Sequence, residues 1–389
     1  MAPGALPMTS RTPFPPVPAA DGRILALDGV RGFATILVVV SHYFAEISNG
    51  VSVFAFGWYA VNIFFVLSGF LIGRLIIDKQ DRANFLSVFF IRRLCRTVPS
   101  YIVCVLVVFF VMRAFDGAEW TQRYSDFPLW AYLTFTQNFF MAATGTVGAY
   151  WLSPTWTLAL EEQFYLLAPL AFLFLPRQRL LGVLVACALL AVVIRAAIFT
   201  TDVVHPFYGL VLLPSRADVL LIGVIAAILY RDETIDWSRY DQHLRVLPVV
   251  MLSALVAIGL FDRPDQTMFR IFGPFLVSVG AAFFLLSVVR GAPEAKRFES
   301  RFFRFFGDNS YCIYLTHLMV LGLFHGLILG TKPALGAWQQ WAVTIAALPL
   351  CVLVGWALTR LVEEPITAYG RSWKWSDARR KTAGSALQS

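Results

Sequence analysis

The sequence predicts an all-α, polytopic membrane helix bundle, and three observations carry that expectation. The chain is 58% hydrophobic and only 14% charged, too little polar surface to cover a soluble fold. Its apolar residues fall in runs that can cross ~30 Å of hydrocarbon, near 27–47, 54–77, 98–115, 155–175, 180–199, 207–230, 246–261, 269–290, 310–330 and 340–362. Its cations segregate. If the short, polar-containing stretch Pro128 to Met141 does not span, Lys79, Arg92, Arg93, Arg96, Arg177, Arg179, Arg231, Arg239, Arg297, Arg301 and Arg371 share one side with both termini, and the opposite loops hold little beyond Arg123, Arg263 and Lys332. If it does span, every later loop flips and the bias collapses. The expectation is about ten transmembrane helices, both termini cytoplasmic, in a multi-pass protein of the cell membrane, with 116–153 as an external loop.

On this reading the net charge of +8 lies largely in cytoplasmic loops, and no nucleic-acid partner is expected. Residues 1–26, rich in Pro, Ala and Gly without a signal-peptide apolar stretch, read as a disordered cytoplasmic tail. Residues 27–366 form the transmembrane domain and 367–389 a second cytoplasmic tail. Cys95, Cys104, Cys187, Cys312 and Cys351 have no metal-like spacing and read as packing residues.

The first helix carries Arg31 and His42, eleven positions apart. At ~100° per residue both project from one face, about 16 Å apart along the axis. Ionisable groups on one stripe of a membrane helix mark a functional site unless the arginine merely snorkels and the histidine merely packs. Glu46, one turn on, can hold the ring by an i,i+4 contact. Before the third span, Arg93 and Arg96 face the same way and suit forked donation to a phosphate; taken alone they also fit a basic loop that sets topology and binds anionic lipid.

Ser153-Pro154 reads as an N-cap and first-turn proline at the outer face, which puts Glu161 about 10 Å below, at a depth similar to His42. Arg216-Ala217-Asp218 offers an intramembrane ion pair. Tyr311, Tyr314 and His317 share a helical face, as packing groups or as ligand contacts. Gly69-xxx-Gly73 reads as close helix packing.

In chain order, these elements resemble the acyltransferase 3 family of integral membrane acyltransferases: Leu27 to Gly32 with Arg31-x10-His42; Phe65-Val66-Leu67-Ser68-Gly69-Phe70; Arg93-xx-Arg96 with Pro99 and Tyr101; Trp156 to Tyr165; Arg216-x-Asp218-xxxx-Gly223; Gly307-xx-Ser310-Tyr311-xx-Tyr314-Leu315-x-His317; and Val362-Glu363-Glu364-Pro365. The resemblance covers residues 24–366 and implies transfer of an acyl group, usually acetyl, from cytoplasmic acyl-CoA to a hydroxyl of an extracytoplasmic or lipid-linked carbohydrate. Some relatives modify macrolides instead. No metal is expected. Larger relatives append an extracytoplasmic hydrolase-like domain, which this chain is expected to lack.

Resemblance and residue chemistry together make His42 and Glu161 the candidate catalytic pair, with His42 as general base or as the carrier of an acyl-histidine intermediate, and Glu161 orienting the base or binding the sugar. Arg31, Arg93, Arg96 and Tyr101 are candidates for the acyl donor. Trp156, Tyr165, Arg216, Asp218, Tyr314 and His317 are candidates for the acceptor or a structural polar site. A secondary transporter or flippase is the competing class, since buried ionisable groups also line substrate pathways; against it, no paired broken helices are visible in two related halves.

Overall fold

The computed structural model describes residues 24–201, 203–261 and 267–376. Most of both expected tails, 1–23 and 377–389, and Arg263 lie outside the described residues. The described residues form helices and no β-strand. In order these are α1 (Leu25–Phe44), α2 (Gly57–Lys79), α3 (Phe85–Ala114), α4 (Leu129–Leu133), α5 (Gln137–Thr144), α6 (Thr155–Phe174), α7 (Arg177–Thr200) and α8 (Phe207–Val211). There follow α9 (Leu213–Tyr230), α10 (Asp241–Phe261), α11 (Thr267–Val289), α12 (Ala295–Phe298), α13 (Arg301–Asp308), α14 (Ser310–Leu329), α15 (Trp338–Leu358) and, after a π-turn at Thr359–Glu363, α16 (Glu364–Ser372).

Among the described residues, nine helical segments are long and apolar enough to cross a membrane. They match the expected runs except 246–261, which falls within α10 but is not among the nine. The 128–141 stretch does not form a span. It folds into α4, of 5 residues, and α5, of 8, a few turns at ~1.5 Å per residue against the ~30 Å required. Phe135, at φ 55°, breaks the helix between them. Gln137 and Asn138 explain why the stretch lies where it does: both are fully buried, and their amide N–H groups donate to the carbonyls of Thr155 (2.9 Å) and Val211 (3.1 Å).

Glycines set the tightest helix contacts. A Cβ on Gly69 would stand 2.0 Å from the Leu220 carbonyl oxygen, and one on Gly223 2.1 Å from that of Val66, so α2 and α9 meet backbone to backbone, as the spacing of Gly69 and Gly73 predicts. The glycines beside Arg31 do the same against α12 and α13: a Cβ on Gly29 would lie 1.7 Å from the Phe298 oxygen, and on Gly32 2.0 Å from that of Phe303. At the face where α1 begins, the C-terminal segment crosses the start of α3. Arg92 donates to the Trp373 carbonyl at 2.6 Å and lies 5.0 Å over the Trp375 ring, while Asn84 accepts from the Ser376 amide at 2.9 Å.

Two local expectations need correcting. Ser153 does not cap α6: it lies in helical backbone, α6 begins at Thr155, and the Thr155 hydroxyl turns back to donate to the Leu152 carbonyl at 2.6 Å. Arg216 and Asp218 do not pair, because residues two apart lie on opposite sides of a helix. Asp218 instead takes a two-pronged bond from Arg195 of α7 (3.0 and 2.8 Å), whose guanidinium also donates to the carbonyls of Ser215 and Ile271. Both side chains have no solvent exposure. Arg216 donates to Asn62 at 2.8 Å and packs over Trp156. Removing one member of a buried pair strands the other, so Asp218→Ala should destabilise the bundle by about 3–5 kcal/mol, against under ~1 kcal/mol for Asp116→Ala at the exposed Arg123 pair. Thermal unfolding of the two variants in lipid nanodiscs measures the difference.

Candidate active site

Five helices bring their polar residues together in order of depth. Helices α1, α3 and α14 run away from the face where α1 begins, and α2 and α6 run toward it. Two chambers result, one nearer each face.

The inner chamber, about 150 Å³, is lined by Arg31 of α1, Ser68 of α2, Arg93, Arg96 and Thr97 of α3, Thr157, Glu161 and Tyr165 of α6, and Ser310, Tyr311 and Tyr314 of α14. Apolar helices carry three cations here because the chamber, not lipid, receives them. Arg93 lies 5.0 Å over the Tyr165 ring, a stacking that a planar guanidinium favours. Arg31 pairs with Asp28 at 3.8 Å. Glu161 accepts a 2.7 Å bond from the Ser68 hydroxyl, which orients one carboxylate oxygen. The Tyr311 hydroxyl donates to the Thr97 carbonyl at 2.6 Å, tying α14 to α3.

The outer chamber, about 180 Å³, holds His42 and Glu46 beneath a largely aromatic and aliphatic wall that includes Tyr150, Trp156, Phe207 and Val211. Nδ1 of His42 lies 2.9 Å from the Val38 carbonyl. A carbonyl can only accept, so the ring hydrogen sits on Nδ1 and the neutral ring presents its Nε2 lone pair. Nε2 lies 3.4 Å from Glu46 Oε2, and the other Glu46 oxygen accepts from Ser41 at 2.8 Å. The i,i+4 contact expected from the sequence is present.

The His42 ring also packs 4.9 Å from that of His317. His317 Nδ1 donates to the Tyr314 carbonyl at 2.6 Å, and its Nε2 is buried without a hydrogen-bond partner. The Tyr43 hydroxyl, one residue from His42, donates to the His317 carbonyl at 2.9 Å and fixes α1 against α14.

The structure therefore brings together Arg31, Arg93, Arg96, Glu161 and Tyr165 in one chamber, and His42 with Trp156 in the other. His42 and Glu161, expected at similar depth, line different chambers. Counting Glu161 down from Pro154, which does stand at the start of α6, gives a depth but cannot show that α1 and α6 present the two groups to separate spaces. Tyr101 is not at the arginines. It is fully buried farther along α3, donates to the Tyr132 carbonyl at 2.9 Å and stacks 4.5 Å from Phe135, bolting the 128–141 stretch to the bundle. Arg216 and Asp218 line neither chamber. Ser68, Thr157 and Tyr150 carry site positions that sequence reasoning gave no role; a lone serine inside the apolar Phe65–Phe70 stretch was the signal available for Ser68.

The family model described as "Acyltransferase domain" matches residues 24–360 of this chain. Among curated proteins, the chain is similar to the O-acetyltransferase OatA of Staphylococcus aureus strain NCTC 8325, 25% identical over 364 residues, covering 88% of this chain and 57% of that protein. It is also similar to a putative O-acetyltransferase of Staphylococcus aureus strain COL, 27% identical over 326 residues, 78% of this chain and 51% of that one. The chain thus spans little more than half the length of the curated relatives it matches. No solved structure matches it. A family match across nearly the whole described chain, on a bundle with nine helical segments among the described residues long and apolar enough to cross a membrane, makes this a multi-pass membrane protein that belongs to the acyltransferase family.

Proposed function

We propose that the protein is a membrane O-acetyltransferase that takes an acetyl group from acetyl-CoA at its cytoplasmic face and delivers it to a hydroxyl of a carbohydrate or glycolipid at the opposite face of the cell membrane. The observation that carries this reading is the serial arrangement of two chambers, one cationic and one holding a histidine whose Nε2 faces Glu46. Both termini lie on the cytoplasmic side, where the positive-inside bias puts the cation-rich loops. Family membership favours group transfer over the transporter alternative.

The inner chamber suits the donor. Its lining sets the three arginines beside Val61, Phe64, Phe65 and Leu71, cationic groups for the phosphates of acyl-CoA next to an apolar wall for its acyl-thioester arm. Arg93 and Arg96, with Arg31, offer planar donors to phosphate oxygens. Glu161 faces these arginines and Ser68, so its role lies on the donor side, keeping the guanidiniums in place before the donor arrives. His42 acts on the acceptor: Nε2 takes the hydroxyl proton as the oxygen attacks the thioester carbon, the C–S bond breaks and CoA leaves as the thiolate. The Val38 carbonyl holds the hydrogen on Nδ1, so Nε2 is the atom that takes the proton, and Glu46, 3.4 Å from Nε2, stabilises the imidazolium that forms. The aromatic wall of Tyr150, Trp156 and Phe207 fits the C–H face of a sugar ring.

His42→Ala should lower acetyl transfer by ~10²–10⁴ while CoA still binds, measured by acceptor acetylation alongside calorimetric CoA titration; wild-type turnover would remove the base assignment. Alanine at Arg93 or Arg96 should weaken CoA binding by roughly 1.5–3 kcal/mol, and lysine should restore it only in part, because it keeps the charge without the fork. Were the arginines there only to set topology, lysine would bind CoA as tightly as arginine. An impermeant thiol reagent added outside the cell should label a cysteine introduced at Asp116 and spare one introduced at Arg239; equal labelling would overturn the orientation.

A further inference from the structure

The two chambers share wall residues, Val61 of α2 and Tyr314 of α14. Tyr314 is pinned there. Its hydroxyl lies 2.9 Å from the Thr157 hydroxyl and 3.1 Å from the Pro154 carbonyl, both in the first turns of α6, where the helix passes from the outer chamber (Trp156) to the inner one (Thr157). The ring stands 6.2 Å from Phe64 and 5.7 Å from His317, so it bridges from α14 to α6 across the level at which donor and base would have to meet. Only 9% of the residue is accessible. A donor held at the arginines and a base at His42 lie on opposite sides of this side chain.

Resting on the donor and base roles assigned above, we propose that Tyr314 is the partition between thioester and acceptor, a positioning residue that sets the choice between an acceptor hydroxyl and water. With the ring pinned to α6, water in the outer chamber is kept from the thioester; the ring moves aside when an acceptor occupies that chamber. The reaction it suppresses is hydrolysis, in which water oxygen bonds to the acyl carbon, the C–S bond breaks, acetate forms, one of water's protons ends on the CoA thiol and the other is released to solvent. Exclusion of water from reactive acyl groups is a general demand on transferases. The two hydroxyl contacts and the ring's bulk make separable contributions to it.

The test is acetyl-CoA without acceptor, following free thiol release by the purified full chain in nanodiscs. Tyr314→Ala should raise release by about ten-fold or more over wild type. Tyr314→Phe, which keeps the ring and loses the bonds, should raise it less, and Thr157→Val, which leaves the Pro154 contact, least. CoA should still bind in all three, because the arginines that face its phosphates are intact. Tyr43→Phe is the control, since it removes another buried hydroxyl bond to α14 outside both chambers. Thiol release at the wild-type rate from Tyr314→Phe and Tyr314→Ala, with CoA bound normally, overturns the partition. So does an equal rise in Tyr43→Phe, which would mean general loosening. Failure of wild-type protein to bind CoA would instead sink the donor-chamber reading, and should Tyr314→Ala not fold, the phenylalanine and valine variants decide the matter.

Discussion

Lipid offers neither counter-ion nor hydrogen bond, so every charge carried on a spanning helix has to be answered by protein or by a water-filled space. The fold follows from that constraint. Arg195 and Asp218 answer each other through two bonds, with two carbonyls taking two more of the guanidinium's five donors. Arg31, Arg93 and Arg96 are not neutralised in this way and define a chamber. Large apolar side chains such as Phe110, Phe174 and Leu361 are left outward, 75–80% exposed, which in this solvent is where they belong. Interior cations need walls that do not drift, and the glycine contacts of α1 with α12 and α13, and of α2 with α9, supply them at backbone distance.

Within those walls the chemistry is sorted by depth. Within α6, Trp156 lines the outer chamber and Leu158 and Glu161 the inner one, and within α2 Gly57 lines the outer and Ser68 the inner, so each helix contributes to both spaces. The stretch 116–153, docked through Gln137, Asn138 and Tyr101, roofs the outer chamber through Val147 and Tyr150. Function here belongs to the placement of separate groups along an axis more than to any single constellation.

Much of this was legible in the sequence. Helix number to within one, the non-spanning 128–141 stretch, the Arg31–His42 stripe, the Glu46 contact and the Gly69 packing all follow from period, length and residue type, which are local properties. What failed was pairing across helices. Asp218 finds Arg195 through tertiary packing, 23 residues away in sequence, and no periodicity announces that. Tyr101 shares its helix with the arginines yet belongs to another layer, because a few residues of helical rise carry it beyond the chamber. Glu161 and His42 were placed by depth alone, which says nothing about the azimuth at which each helix presents its side chain.

The division at Tyr314 has an electrical consequence. An acetyl group is neutral, so its passage from one chamber to the other does no work against a transmembrane potential, which is worth ~2.3 kcal/mol per elementary charge at 100 mV. The proton is a different matter. It leaves the acceptor oxygen on one side of the partition, and the thiolate that needs one forms on the other. If His42 discharges to the outer face while the thiolate is protonated from the cytoplasm, each turnover shifts one charge across the membrane field; if the proton follows the acyl group's path back through the bundle, none moves. The rate of such an enzyme would feel the energised state of the membrane in the first case and ignore it in the second.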